Sequence, residues 1–276
     1  MNVQSAMQAK KAGGTATVLL ALGLALSGVA QAQTQTQPAP LRLDVPYVPT
    51  PDDVVAQMLE MGEVGADDFV IDLGSGDGRI AIAAVKDKGA KGAMGVDLNP
   101  ERISEAQENA KKAGVTDKVT FRQQNLFETD LGKADVITMY LLETVNAKLR
   151  PTLLQLKPGT RIVSHAFSLG DWQPDEQANV NGRTVYLWVV PAKVEGRWTL
   201  TDGSQNMTLD LKQSFQSVSG DATVNGRRTA ISSGKVVGEE VILTVQLDGR
   251  ERTYRGKVEG ARIAPAGTDA WRAERG

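Results

Sequence analysis

Apolar and polar positions change rhythm twice along this chain. From about Pro46 to Val190, short apolar runs alternate with helical patterns. FVIDLG (Phe69–Gly74) and GAMGVDL (Gly92–Leu98) read as strands buried on both faces, because apolar residues follow one another without alternation. KVTFRQQ, ADVITMYL (Ala134–Leu141) and TRIVSHAF predict a third, fourth and fifth strand, and TVYLWVV (Thr184–Val190) a later one. Between them lie GRIAIAAVKDKG, ERISEAQENAKKAG and NAKLRPTLLQL, with Pro151 kinking or interrupting the last. The middle helix has Asn99 as cap, Pro100 in its first turn, and Ile103, Ala106 and Ala110 on one face; Gly114 ends it. An earlier helix is expected over DDVVAQMLEMG, with Thr50 as cap and Pro51 at its first position. After Pro191 the helix pattern gives way to alternation. MTLDL, VILTVQL and RTYRGKV place apolar residues at every second position, as half-buried antiparallel strands do.

Repeated βα units imply a parallel sheet whose right-handed crossovers lay helices on both faces. The predicted class is therefore α/β. A doubly wound, mostly parallel Rossmann-like sheet over residues 46–192 is followed by a small antiparallel β domain over 193–276, a meander or half-open barrel. Val-x-Gly triplets at Val194–Gly196, Val218–Gly220 and Val258–Gly260, with Val236-Val237-Gly238 as a variant, mark strand ends or bulges. Trp198 and Trp271 are expected to pack rather than to form a ligand cage.

The N-terminus follows another logic. Lys10 and Lys11 precede the apolar run TATVLLALGLAL (Thr15–Leu26), and Ala30-Gln31-Ala32 has the A-x-A form of a cleavage site. Residues 1–32 thus predict a secretory signal peptide, and an exported, periplasmic or secreted product. An uncleaved membrane anchor is the alternative, although the run is short against the ~20 residues of a span. Residues 33–45, beginning QTQTQPAP, read as a linker.

Composition narrows the chemistry. The chain has 276 residues, 41% hydrophobic and 23% charged, which excludes collagen-like and wholly disordered classes. A formal net charge of −2 disfavours a generally basic nucleic-acid binder. There are no cysteines and one histidine, His165, so disulfides, cysteine-based zinc sites and cysteine nucleophiles are excluded. No metal site is expected.

The candidate chemistry follows the first strand. In IDLGSGDGR (Ile71–Arg79) a strand enters a glycine-rich turn and leaves as a helix. Gly74 permits the tight turn, while Gly76 and Gly78 clear side chains from a ligand's path. A dinucleotide fingerprint would need glycine or alanine where Arg79 stands, and no Walker lysine follows. Asp72 and Asp77 flank the loop; carboxylates repel a pyrophosphate but suit an ammonium and a sulfonium. Asp97 ends the second strand, 23 positions beyond Gly74, where an acid can accept from both ribose hydroxyls.

DLGSGDG (Asp72–Gly78), GVDLNP (Gly95–Pro100) and LKPGT resemble the class I, seven-strand AdoMet-dependent methyltransferases. VPYVPTPDDVVAQML (Val45–Leu59), DLGSGDGRI and SHAFSLGDWQPD (Ser164–Asp175) look like bacterial relatives of the mitochondrial lysine methyltransferases of the ATP synthase c-subunit and the adenine nucleotide translocase. The resemblance implies AdoMet as cofactor and a protein lysine as acceptor. It assigns the methionine moiety to Asp72 and the backbone of Gly74, Ser75, Gly76, Asp77 and Gly78. Asp97 takes the ribose and Leu98 lies beside the adenine. Asn125 stands where an acid usually meets adenine N6. Tyr47 and Thr50 would close over the cofactor, or else pack and cap.

The acceptor is expected at the carboxyl end of the fourth strand, where Tyr140, Glu143 and Asn146 are candidates to orient the amine or ease its deprotonation. Each has a structural alternative, packing for Tyr140 and helix-start roles for Glu143 and Asn146. The segment lacks the N/D-P-P-Y/F signature of amino-directed DNA and glutamine methyltransferases. His165 reads more readily as a core residue than as a base, and Asp171 and Trp172 as part of a loop beside the acceptor cleft. Two other functions stay open: methylation of a small molecule, and an exported, non-catalytic binding module. No nucleic-acid partner is expected.

Overall fold

The computed structural model describes residues 47–247 and 249–276. The expected signal peptide (1–32) and linker (33–45) lie outside the described residues. Within them, helix α1 (Asp52–Met61) leads into β1 (Phe69–Leu73), α2 (Arg79–Lys86), β2 (Gly92–Asp97), α3 (Pro100–Ala113) and β3 (Val119–Gln123). After a short 3₁₀ turn (Leu126–Glu128) come β4 (Val136–Met139), α4 (Glu143–Leu153), β5 (Arg161–His165), β6 (Glu176–Val180) and β7 (Arg183–Val189). They form a seven-stranded sheet in the order β3-β2-β1-β4-β5-β7-β6. The first five strands run parallel, and β7 runs antiparallel to β5 and to β6.

Successive strand residues enter opposite cores, as the two-residue period of a strand requires. Val70, Val136 and Val163 pack with Val54, Met58, Ala81 and Ala106 of α1, α2 and α3. Ile71, Ile137 and Ile162 pack with Leu149 and Leu153 of α4 and with Trp172 and Trp188. Helix α3 is capped as its sequence predicts: Asn99 Oδ1 accepts from Glu101 N at 2.9 Å, and Gly114 ends it at φ 72°.

Three expectations change. Pro51, not Thr50, is the residue before α1, and no side chain caps that helix. Thr50 is buried instead, with Oγ1 3.3 Å from His165 Nδ1. Helix α4 continues through Pro151 to Leu153. No strand is expected at Glu176–Val180, yet β6 forms the sheet edge there. Its hairpin turns at Asn181 and Gly182, with φ of 50° and 83°. That Asn-Gly pair carries the hairpin signal, because a type I′ turn needs left-handed backbone at both positions.

Beyond Pro191, strands β8 (Gly196–Asp202), β9 (Gln205–Ser214), β10 (Ser217–Val224), β11 (Arg227–Val237), β12 (Glu240–Leu247), β13 (Arg250–Glu259), β14 (Arg262–Pro265) and β15 (Arg272–Arg275) follow. Each pairs antiparallel with the next, and β15 pairs back onto β8, from Arg272↔Thr201 to Arg275↔Trp198. The barrel is therefore closed rather than half-open. Trp198, Leu209, Val245 and Tyr254 fill its interior, and Trp271 meets Tyr254 edge-on at 5.3 Å. Gly220, at φ 144°, sits where β10 and β11 slip register; a Cβ there would lie 2.0 Å from Asp210 O.

Candidate functional site

The turn between β1 and α2 is fixed by hydrogen bonds that leave its inner face free. Gly74 N and Ser75 N both donate to Val96 O at 2.9 Å, and Gly78 N donates to Ser75 O at 2.8 Å. Gly74, Gly76 and Gly78 adopt φ of 74°, 53° and 82°, a region costly for residues with a Cβ. A side chain on Gly74 would meet Leu141 at 2.8 Å, and one on Gly76 the Tyr47 ring at 2.5 Å. Gly78 differs from the expected ligand contact. Its Cβ would strike Phe121 at 2.4 Å and Ala106 at 2.9 Å, so its missing side chain serves the packing of α3 and β3 against the turn.

Three carboxylates surround this turn, each in a different state. Asp97 Oδ2 accepts from Gly76 N at 3.0 Å and Oδ1 from Asn99 N at 2.8 Å, so it braces the loop from the end of β2. Burial pushes the Asp77 carboxyl up, but the Arg79 guanidinium, 2.6 Å away, brings it below its ordinary value overall. Asp72 is 2% exposed. Its Oδ1 accepts from Thr138 Oγ1 at 2.8 Å, while Oδ2 has no partner. Burial, helped by Asp97 and Asp77 and opposed by the Thr138 bond, pushes its pKa up to about 7.

Asp72, Asp77, Asp97 and the turn line a cavity of about 300 Å³. Tyr47, Thr50, Gly74, Ser75, Gly76, Leu98, Asn125 and Tyr140 line it too, so the structure brings together most of the residues singled out from sequence. Gly78, Glu143 and Asn146 do not line it. Glu143 is exposed at the start of α4. Asn146 is fully buried and donates to Phe167 O at 3.1 Å and Ser168 O at 3.2 Å. Asn125 Oδ1 accepts from Phe127 N at 3.0 Å, which leaves it one lone pair for a ligand.

The cavity residues fit the AdoMet that the motifs imply. The backbone cradle at Gly74 and Gly76 has room that a Cβ would fill. Buried Asp72 Oδ2 and Ser75 Oγ are both unpartnered. A buried acceptor without a donor is costly, and an ammonium would supply one.

Tyr140 and Phe167 also line the cavity. Their rings lie 6.2 Å apart at 22°. His165 packs behind Tyr140, with ring centroids 3.9 Å apart, and does not line the cavity. Burial, with a smaller push from Arg183, holds its pKa below the ordinary value, so the imidazole is neutral near pH 7. Trp172 is fully buried and Asp171 is exposed; neither lines the cavity.

Sequence reasoning missed Phe167, which follows the strained Ala166 (φ 66°), and Arg102, whose guanidinium lies 4.6 Å from the Tyr47 ring centroid. Neither had a local signal beyond position, Phe167 just past β5 and Arg102 in the first turn of α3. Among the described residues no group of three or more histidines, cysteines or acids could hold a metal, and no helix is long and apolar enough to cross a membrane.

A family model described as the ANTKMT methyltransferase domain matches residues 72–176. A protein-lysine N-methyltransferase of Saccharolobus islandicus (strain REY15A) is 51% identical over 151 residues, spanning 53% of this chain and 94% of that protein. The adenine nucleotide translocase lysine N-methyltransferase of Mus musculus is 36% identical over 135 residues, spanning 49% of this chain and 58% of that one. Among solved structures, an RNA methyltransferase from Salinibacter ruber in complex with S-adenosyl-L-homocysteine is 50% identical. It covers 53% of this chain and 96% of its own, with a TM-score of 0.52.

Proposed function

We infer that this chain, which belongs to the family of AdoMet-dependent protein-lysine N-methyltransferases, methylates the side-chain amine of a lysine in a protein. One observation carries the reading. One cavity is lined both by the glycine turn and Asp97 and by the aromatic pair Tyr140 and Phe167, which places cofactor-binding and acceptor-facing groups together. AdoMet supplies the electrophilic methyl group on its sulfonium. The chain supplies alignment: Asp72 and the turn would hold the amino-acid end, and Asp97 and Leu98 would hold the nucleoside. Tyr140 and Phe167 would border the incoming amine with aromatic surface. Among the described residues the acids lining the cavity are those around the glycine turn, and His165 stands outside it.

The test is labelled methyl transfer from AdoMet into separate protein and RNA fractions of a cell extract. Label released as methyl-lysine on protein hydrolysis is expected, and Asp97→Ala should abolish it together with AdoMet binding heat. The likeness to an RNA methyltransferase from Salinibacter ruber supports RNA as a second reading. Label confined to ribonuclease-sensitive material would establish RNA in place of lysine.

The A-x-A site and short apolar run support export with cleavage after Ala32. The acceptor would then be an envelope protein, and AdoMet, made in the cytosol, would have to reach it. Periplasmic material should begin at Gln33; a retained Met1 would sink the cleavage.

A further inference from the structure

Among the contacts between the closed barrel and the methyltransferase domain is a hairpin tip that is costly to make. Phe215 and Gln216 form the two-residue turn between β9 and β10, with Ser214 paired to Ser217 across it. Phe215 sits at φ 53°, where a bulky residue is strained and glycine would not be. Something must hold it there, and the contacts show what. Its ring stacks on Trp172 at 6.1 Å and 9°, and Arg150 Cζ lies 5.8 Å from its centroid. Gln216 donates Nε2 to Gln173 O at 2.7 Å. Gln213, from β9, donates to Phe215 O at 2.8 Å and to Ala192 O, between β7 and β8, at 2.9 Å.

Trp172 and Gln173 belong to the loop between β5 and β6, and Arg150 of α4 supports that loop. Arg150 of α4 also donates to Leu169 O at 2.9 Å, and Asn146 holds Phe167 O and Ser168 O. The same loop carries Phe167 into the cavity beside Tyr140. Thus Asn146 and Arg150 fix the loop from within the sheet domain, and the hairpin tip fixes it from the barrel.

We propose that Phe215 and Gln216 are positioning residues for methyl transfer: the barrel's β9–β10 tip clamps the β5–β6 loop and so sets the acceptor wall at Phe167. The proposal rests on the lysine-methyltransferase reading for its substrate but not for its geometry. A conformational penalty at Phe215 is tolerated because the stacked ring delivers that clamp.

The strain supplies a discriminating variant. Phe215→Gly relieves the backbone and removes the stack. A tip that only turned the chain would lose nothing. The full-length chain is compared with Phe215→Gly, Phe215→Tyr and Gln216→Ala. Hydrogen exchange is followed at residues 166–175. Steady-state methyl transfer from AdoMet is measured against increasing protein extract, and AdoMet affinity by calorimetry. Phe215→Gly and Gln216→Ala should speed exchange in the loop and lower kcat/KM for the acceptor roughly tenfold. AdoMet affinity should stay within about twofold, and Phe215→Tyr should restore both loop protection and rate. Unchanged loop exchange and acceptor kcat/KM in both variants would overturn the proposal. So would a parallel loss of AdoMet affinity, which would mean that the tip supports the whole fold. If the loop loosens as expected but the native chain labels no protein, the clamp stands and the lysine acceptor falls.

Discussion

At the scale of single residues, Asp72 is where stability and ligand binding meet. A carboxyl in the unfolded chain titrates near ~3.9, whereas in the fold Asp72 is pushed up to about 7. An acid whose pKa rises on folding contributes stability that is complete below the unfolded value and lost as pH climbs through the folded one. Stability from this residue should therefore decline between pH ~4 and about 7 and then level off. Asp72→Asn should remove that slope. Urea unfolding at several pH values is expected to show the variant gaining on the native chain across this window, and parallel curves would refute it. Saturating AdoMet should flatten the native slope too, because a bound ammonium favours the ionised carboxylate. His165, held below its ordinary value of 6.5, adds a slope of opposite sign below that pH, but it is common to both chains and cancels in their comparison.

At the scale of elements, the turn from β1 to α2 is held by three glycines that do different work. Gly74 and Gly76 face Leu141 and Tyr47 at the cavity, while Gly78 faces Phe121 and Ala106 in the core. Gly78→Ala should accordingly behave as a packing mutant. It combines a left-handed backbone with overpacking and is expected to cost about 1–3 kcal/mol, seen as a lower unfolding midpoint. Gly76→Ala should instead weaken AdoMet binding with a smaller change in midpoint. Equal behaviour of the two would refute the division. The glycines, Asp72 and Asp97 were legible in the sequence because a strand–turn–helix crossing sets their spacing locally. Strand β6 was not, since EQANV lies on the sheet edge and has no apolar run to betray it. Phe167 and the Phe215 tip were not legible either. Both are placed by contacts between segments far apart in sequence, which periodicity does not record. Thr50 misled for the same reason: its position suits a cap, but tertiary packing turns it towards His165.

For the whole molecule, the chain combines a methyltransferase sheet with a barrel, and the relatives above match about half of its length. The barrel's own core draws on residues from Ala192 to Ala273 and is separate from the two cores that flank the sheet. Closure depends on four residue pairs between β15 and β8. Deleting residues 272–276 should expose two strand edges, lower the midpoint of the barrel and promote association, since unpaired edges invite pairing with other chains. Sedimentation of the truncated chain checks this, and an unchanged monomer fraction would count against it.

The same closure sets an order of events during synthesis. Strand β8 emerges from the ribosome before its partner β15 is made, and at about 5–20 residues per second the wait lasts several seconds. The sheet domain has all its strands by then, because β7 precedes β8. A nascent chain can thus complete its cofactor cradle first, whereas the last part of the acceptor wall is set only once the barrel has shut.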